Sequence, residues 1–106
     1  MPRPICPRKI SHSPPATYFK PAGIPLRDLE EILLAADEME ALRLADGEGL
    51  YHLDAARRMG ISRQTFDRII RRARGKVACA LVKGLALRIE KAAGGSSTGS
   101  RAASAR

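Results

Sequence analysis

A chain of 106 residues with a net charge of +8 and a pI near 10.3 has the size of one small domain and the charge of a protein with an anionic partner, most simply a nucleic acid. No apolar run is long enough to span a bilayer, and the Pro- and Arg-bearing start lacks the apolar core of a signal peptide, so no membrane role and a cytoplasmic location are expected. The charge is unevenly placed: eight of the eleven acids lie between Asp28 and Glu48, where Arg43 is the only base, and eleven bases lie between Gly49 and Lys91.

Residues 1–25 hold all seven prolines and show no helical period, which predicts an extended, basic arm. Tyr18 and Phe19 are its expected anchors on the domain, while Arg3, Arg8 and Lys9 are free to touch a phosphate backbone or a minor groove. The domain is expected over 26–91. From Leu26 to Ala36 the residues Leu26, Leu29, Ile32, Leu33 and Ala36 recur at helical spacing, with Arg27, Asp28, Glu30 and Glu31 opposite, so a first, acidic helix is predicted there. Asp37 followed by Glu40 reads as a capping box opening a second helix, Glu38 to Ala45, that would bury Met39, Leu42 and Leu44.

The stretch Leu53 to Arg74, LDAARRMGISRQTFDRIIRRAR, fits two short helices joined by a tight turn. Ala56 is the small residue such a pair needs inside its first helix, Gly60 the turn. Ala55, Met59, Ile61, Phe66 and Ile69 fill the inward positions. Ser62 is a good N-cap for the second helix. At about 100° per residue, Phe66, Ile69, Ile70 and Ala73 fall on one side of it and Gln64, Arg68 and Arg71 on the other.

In a helix-turn-helix the second helix enters the major groove and reads with its N-terminal residues. Arg suits guanine and Gln suits adenine, which makes Arg63, Gln64 and Arg68 the candidates for base edges. Ser62, Thr65, Arg71, Arg72, Arg74 and Lys76 are the candidates for phosphates. Asp67 is the only carboxylate between Gly60 and Gly84, so the outer face is basic almost without balance, as phosphate neutralisation requires.

The helical pattern continues through Ala73, Val77, Ala80 and Leu81, with Gly75 a weak point, to a C-cap at Gly84. Leu85, Leu87 and Ile89 then alternate with Ala86, Arg88 and Glu90, which predicts a short half-buried strand. Such a strand needs a neighbour, either the arm around Tyr18 or a second subunit. A homodimer built on Leu85, Leu87 and Ile89 is the expectation that follows, since two half-sites would also lengthen the DNA site. Residues 92–106 are low-complexity and expected to be disordered.

Little chemistry is visible. Cys6 and Cys79 form no CxxC pair, and His12 and His52 share no ligand spacing with them, so no metal is expected. Asp37, Glu38 and Glu40 sit at a helix start without a His or a nucleophile, so the cap reading is preferred to a catalytic one. Neither an enzymatic activity nor a cofactor is expected.

The opening MPRP, the YFKPAGIPL segment, DEMEALRLAD, the LDAARRMGISRQTFDRIIRRAR block and the ending ALVKGLALRIE together resemble a family of small, functionally uncharacterised prokaryotic proteins predicted to bind DNA. Their helix-turn-helix is similar to the promoter-reading region of sigma factors. The resemblance implies a mainly α, sigma-factor-like domain of about four helices, with an extended N-terminal arm, a short strand after the last helix, and a role in transcription regulation on double-stranded DNA. Two alternatives stay open. One is a sigma-like module that docks on RNA polymerase through the acidic stretch Asp28 to Glu48, and the other is an RNA-binding protein.

Overall fold

The computed structural model describes residues 9–10 and 13–91. Arg3, Cys6, Arg8, His12 and the tail 92–106 lie outside the described residues. Helices form the majority of the domain. In chain order the elements are β1 (Tyr18–Phe19), β2 (Glu31–Leu34), α1 (Ala36–Leu42), α2 (His52–Met59), α3 (Arg63–Lys83) and β3 (Ala86–Ile89). A 3₁₀ turn over Leu26–Asp28 precedes β2, and a π-helical turn over Arg43–Gly47 prolongs α1.

The turn between α2 and α3 follows from two residues. Gly60 and Ile61 donate their N–H groups back to the carbonyls of Arg57 and Ala56, both at 3.1 Å, and so close the last turn of α2. That closure needs left-handed backbone, which Gly60 adopts with a φ of 70°. Ser62 then starts α3: its Oγ accepts the Thr65 N–H at 3.1 Å, satisfying a donor that has no partner within the helix. α3 runs for 21 residues, about 30 Å at 1.5 Å per residue, and ends at Gly84 in a second left-handed cap. Gly75 does not interrupt it.

One face of α3 organises both parts of the core. Phe66, Ile69 and Ile70 pack with Ala55, Ala56 and Met59 of α2 and with Ala41, Leu44 and Ala45. Further along, Ala73 packs with Leu34 of β2 and Ile89 of β3, and Leu42 borders both clusters. The inward positions expected from the periodicity of the two-helix stretch are buried, except Ile61, which is half-buried against the same cluster. In α1 the pattern is different: Leu44 is buried, but Met39 and Leu42 are only half-buried, and Glu38 and Glu40 are buried instead.

The expected helix over Leu26 to Ala36 is replaced by the 3₁₀ turn and β2. Ile32, Leu33 and Leu34 fit a strand as well as a helix, and the decision comes from β3, with which β2 pairs in parallel from Glu31↔Ala86 to Leu34↔Ile89. Among the described residues, three helices and a small three-stranded sheet therefore stand where about four helices were expected. α1 also starts earlier than the capping box at Asp37 implied, with Ala35 as its N-cap. Glu38 Oε1 accepts the Ala35 N–H at 2.8 Å, the reciprocal half of a capping box without its hydroxyl.

The strand after α3 is present, one residue from its expected start, and it is the central strand of the order β1-β3-β2. Tyr18 and Phe19 pair antiparallel with Arg88 and Leu87, so the arm supplies one neighbour and β2 the other. The strand's need for a neighbour is thereby met within the chain, and Ile89 is buried, so β3 by itself gives no reason for the expected homodimer. On the polar face, Tyr18 Oη donates to Glu31 Oε2 at 2.7 Å. Arg88 forms a two-pronged pair with Glu31 at 2.9 Å and lies 5.0 Å from the Tyr18 ring centre.

Replacing Gly60 tests the turn. Gly60→Val places a β-branched residue at positive φ, where non-glycine backbone costs about 1–3 kcal/mol. A fall in Tm of at least about 4 °C is expected for a domain of this size. An unchanged Tm would show that the turn tolerates another backbone geometry.

Candidate nucleic-acid interface

Angular position sorts the side chains of α3 into three groups. At about 100° per residue, Gln64, Arg68 and Arg71 project directly away from the core face of Phe66, Ile69 and Ala73. Arg63, Asp67 and Arg74 lie on one flank, and Arg72 and Lys76 on the other. Arg63, Gln64, Arg68 and Arg71 are exposed, as is Ser62, and Thr65 is half-buried. The base-edge candidates thus cluster at the N-terminal end of α3, on the outward face and its first flank. The arm joins them there: the Lys9 N–H donates to the Met59 carbonyl at 2.9 Å, and the Lys9 side chain lies beside Gly60.

The first flank borders a cleft. His52 at the start of α2 places Nδ1 2.7 Å from Asp67 Oδ1, and its ring meets Phe66 edge-on at 5.2 Å. Arg63 Nη1 lies 3.6 Å from the other Asp67 oxygen. Arg74 is held by Asp46 through two hydrogen bonds of 3.0 and 2.7 Å, and those bonds keep the Asp46 carboxyl below its ordinary range. His52, Arg63, Asp67, Ile70, Arg71 and Arg74 together line a volume of about 330 Å³.

The other flank is spent internally. Glu38, only 2 % exposed, accepts from Lys76 Nζ at 2.8 Å and from Arg72 Nε at 3.1 Å. Lys76 Nζ also donates to the Leu33 carbonyl at 2.8 Å. Burial pushes the Glu38 carboxyl upward, but hydrogen bonds from Lys76, the Ala35 backbone and Arg72 outweigh it and hold the group below its ordinary range. Glu40, equally buried, pairs with Arg43 at 2.9 Å, and Glu48 is also a partner of Arg43.

Of the six residues expected at phosphates, three are therefore held by carboxylates of the chain, and Ser62 and Thr65 are hydrogen-bonded to each other. Arg72 and Lys76 bind Glu38, and Arg74 binds Asp46, whereas Ser62, Thr65 and Arg71 stay on or near the open face. Sequence reasoning missed His52 and Asp67 as a pair and Glu38 as a buried ion. The spacing of Arg72 and Lys76, four apart on α3, was the available signal for a shared acidic partner, but nothing local named Glu38 as that partner.

A family model described as "Protein of unknown function DUF134" matches residues 1–97. The chain belongs to this family. Among curated relatives, the UPF0251 protein of Moorella thermoacetica is 58% identical over 90 residues, covering 85% of this chain and 60% of the relative. That of Desulforudis audaxviator is 60% identical over 90 residues, with 85% and 59% covered. The UPF0251 protein of Methanosarcina acetivorans is 54% identical over 88 residues, with 83% and 79% covered. The match thus spans about three fifths of the length of the first two relatives. No solved structure matches the chain. No helix among the described residues is long and apolar enough to cross a membrane.

In this member of the family, Glu38 makes folding depend on pH in a definite direction. A carboxyl held below its ordinary range contributes stability that is present above the unfolded value of about 4.3 and is lost as pH falls through the folded value. Glu38→Gln should lower stability at pH 7 by about 1–3 kcal/mol, because Arg72 and Lys76 keep some access to water and are not left wholly stranded. It should also shallow the acid limb of urea-unfolding free energy against pH below about 4.5. Asp46 and Glu31, held low by Arg74 and Arg88, keep part of that limb in place. Wild-type and variant curves that stay parallel down to pH 3 would contradict the role given to Glu38.

Proposed function

We propose that the protein binds double-stranded DNA as a transcription regulator, laying the N-terminal half of α3 in the major groove. The observation that carries this reading is the outward face of α3, where Gln64, Arg68 and Arg71 stand exposed beside Arg63 at the end defined by a tight glycine turn. A guanidinium and an amide of this kind match the donor and acceptor edges of guanine and adenine. Arg68 and Arg71 have no partner among the described residues, so neither must break an internal bond to reach a base or a phosphate. Ser62 and Thr65 at the α3 start and Lys9 beside the turn supply further groups for the backbone. Together these parts make a helix-turn-helix reading unit of the kind found in sigma factors. Arg72, Arg74 and Lys76 act on phosphate only through charge shared with Glu38 and Asp46.

The acidic stretch offers less to a protein partner than its composition suggested. Glu31, Glu38, Glu40, Asp46 and Glu48 are all paired with bases of the same chain. Docking on polymerase through these five residues would have to displace those pairs. An RNA duplex is a poorer fit for α3, since its deep, narrow major groove does not admit a helix.

Selection from a random duplex pool, followed by anisotropy titrations over a range of salt, tests the reading. Tight binding that prefers some sequences and weakens steeply with salt is expected. Arg68→Ala should cost about 1–3 kcal/mol and relax preference at one position. Arg71→Ala should reduce the slope of log affinity against log salt by about 0.9 without changing the preferred sequence. Absence of duplex binding at low salt, or enrichment of no sequence, would overturn the proposal.

A further inference from the structure

The cleft between the start of α2 and the first flank of α3 has a composition that the reading of bases leaves unexplained. Three guanidiniums, Arg63, Arg71 and Arg74, and one imidazole, His52, surround a single lining carboxylate, Asp67. Of the carboxylates nearby, Asp46 is occupied bidentately by Arg74, and Asp67 is shared between His52 and Arg63. Arg71 has no partner among the described residues. The cleft therefore holds a surplus of positive charge, on walls contributed by two different helices, in a volume of about 330 Å³. That is at the lower end of the ~300–1,000 Å³ typical of ligand pockets and suits a small, highly charged group.

We infer that this cleft is a phosphate-binding subsite, in which Arg71 and His52 clamp one phosphate from opposite walls. A guanidinium presents a planar fork that fits two phosphate oxygens, and Arg71 is the one that enters without giving up an internal bond. His52 is held in place by Asp67, whose carboxylate accepts from Nδ1, and with both ring nitrogens protonated Nε2–H is left to donate to a phosphate oxygen. Asp67 thus acts as a positioning residue for His52 and Arg63 and does not itself touch the phosphate. Asp46 plays the same part for Arg74.

The phosphate can come from a duplex backbone or from a free phosphate ester. The duplex source rests on the proposed function, and it would fix the register of α3 by gripping the strand beside the groove that α3 enters. His52 and Arg71 then fix position, while Gln64 and Arg68 read sequence.

The test is a nuclear magnetic resonance titration of the full chain, first with inorganic phosphate against chloride at matched ionic strength, then with a duplex of about 20 base pairs. Saturable shifts of the His52 ring and the Arg71 Nε signals with phosphate, but not with chloride, are expected. Arg71→Gln and His52→Gln should each weaken phosphate binding by about three- to tenfold, the range for loss of one partly solvated charge-assisted bond. Lys83→Gln, the same loss of charge at the far end of α3, should leave binding unchanged. Because His52 also packs on Phe66, the exposed Arg71 variant carries the test where His52→Gln unfolds. Shifts spread over the whole basic surface, or equal weakening by Lys83→Gln and Arg71→Gln, would overturn the inference. Duplex that displaces phosphate and moves the same signals assigns the source to the nucleic acid backbone. Phosphate binding without duplex binding keeps the subsite, assigns it to a free ester, and defeats the duplex reading. Duplex binding that leaves His52 and Arg71 unmoved defeats the subsite and leaves the duplex reading intact.

Discussion

A carboxylate taken out of water must find positive charge and hydrogen-bond donors, or the fold that buries it pays heavily. Glu38 meets that demand with the Ala35 N–H, Arg72 and Lys76, which come from the start of α1 and from α3. Ala35 begins α1, Arg72 and Lys76 come from the middle of α3, and Lys76 extends the connection to the Leu33 carbonyl of β2. One buried ion therefore sets the position of the sheet, of α1 and of the rotation of α3 about its own axis. That rotation decides which α3 residues can face a partner.

The consequence is a division of labour among cations that look alike in the sequence. Arg72 and Lys76 are used to neutralise Glu38, and Arg74 is used by Asp46. Arg68 and Arg71 remain on the open side, and Arg63 shares Asp67 with His52. An exposed pair such as Arg74 with Asp46 contributes little to stability, so its effect is chiefly to aim the guanidinium. Much of the acidic stretch is counter-charge for the bases around it: Glu38 and Asp46 hold cations of α3, and Glu40 and Glu48 hold Arg43.

The small sheet gives the arm and the end of α3 a common anchor. β3 is bordered on one side by Tyr18 and Phe19 and on the other by β2, so the segment before the domain and the segment after its longest helix are tied together. Arg88 strengthens the tie by meeting both Tyr18 and Glu31 across the three strands. Lys9, earlier in the arm, bonds to the end of α2 at the turn and brings another cation to the exposed end of α3.

What the sequence determined by itself is what depends on residues close together along the chain. Gly60, Ser62 and Gly84 mark the ends of α2 and α3 because a left-handed cap and an N-cap hydroxyl are satisfied within a few residues. Ala55, Met59, Phe66, Ile69, Ile70 and Ala73 were legible as core because a helical period leaves them one side to share. The strand after α3 was legible from its alternation, and the outward set Gln64, Arg68 and Arg71 from the same angular rule. Only the tertiary structure decided the rest. Residues 31–34 satisfy a helical spacing and a strand equally, and pairing with β3, more than fifty positions later, selects the strand. The burial of Glu38, the retention of Arg72, Arg74 and Lys76 within the chain, and the meeting of His52 with Asp67 are likewise non-local. Each depends on a partner on another element, and the physical reason is that a charge finds its counter-charge through space, where sequence separation leaves no local mark.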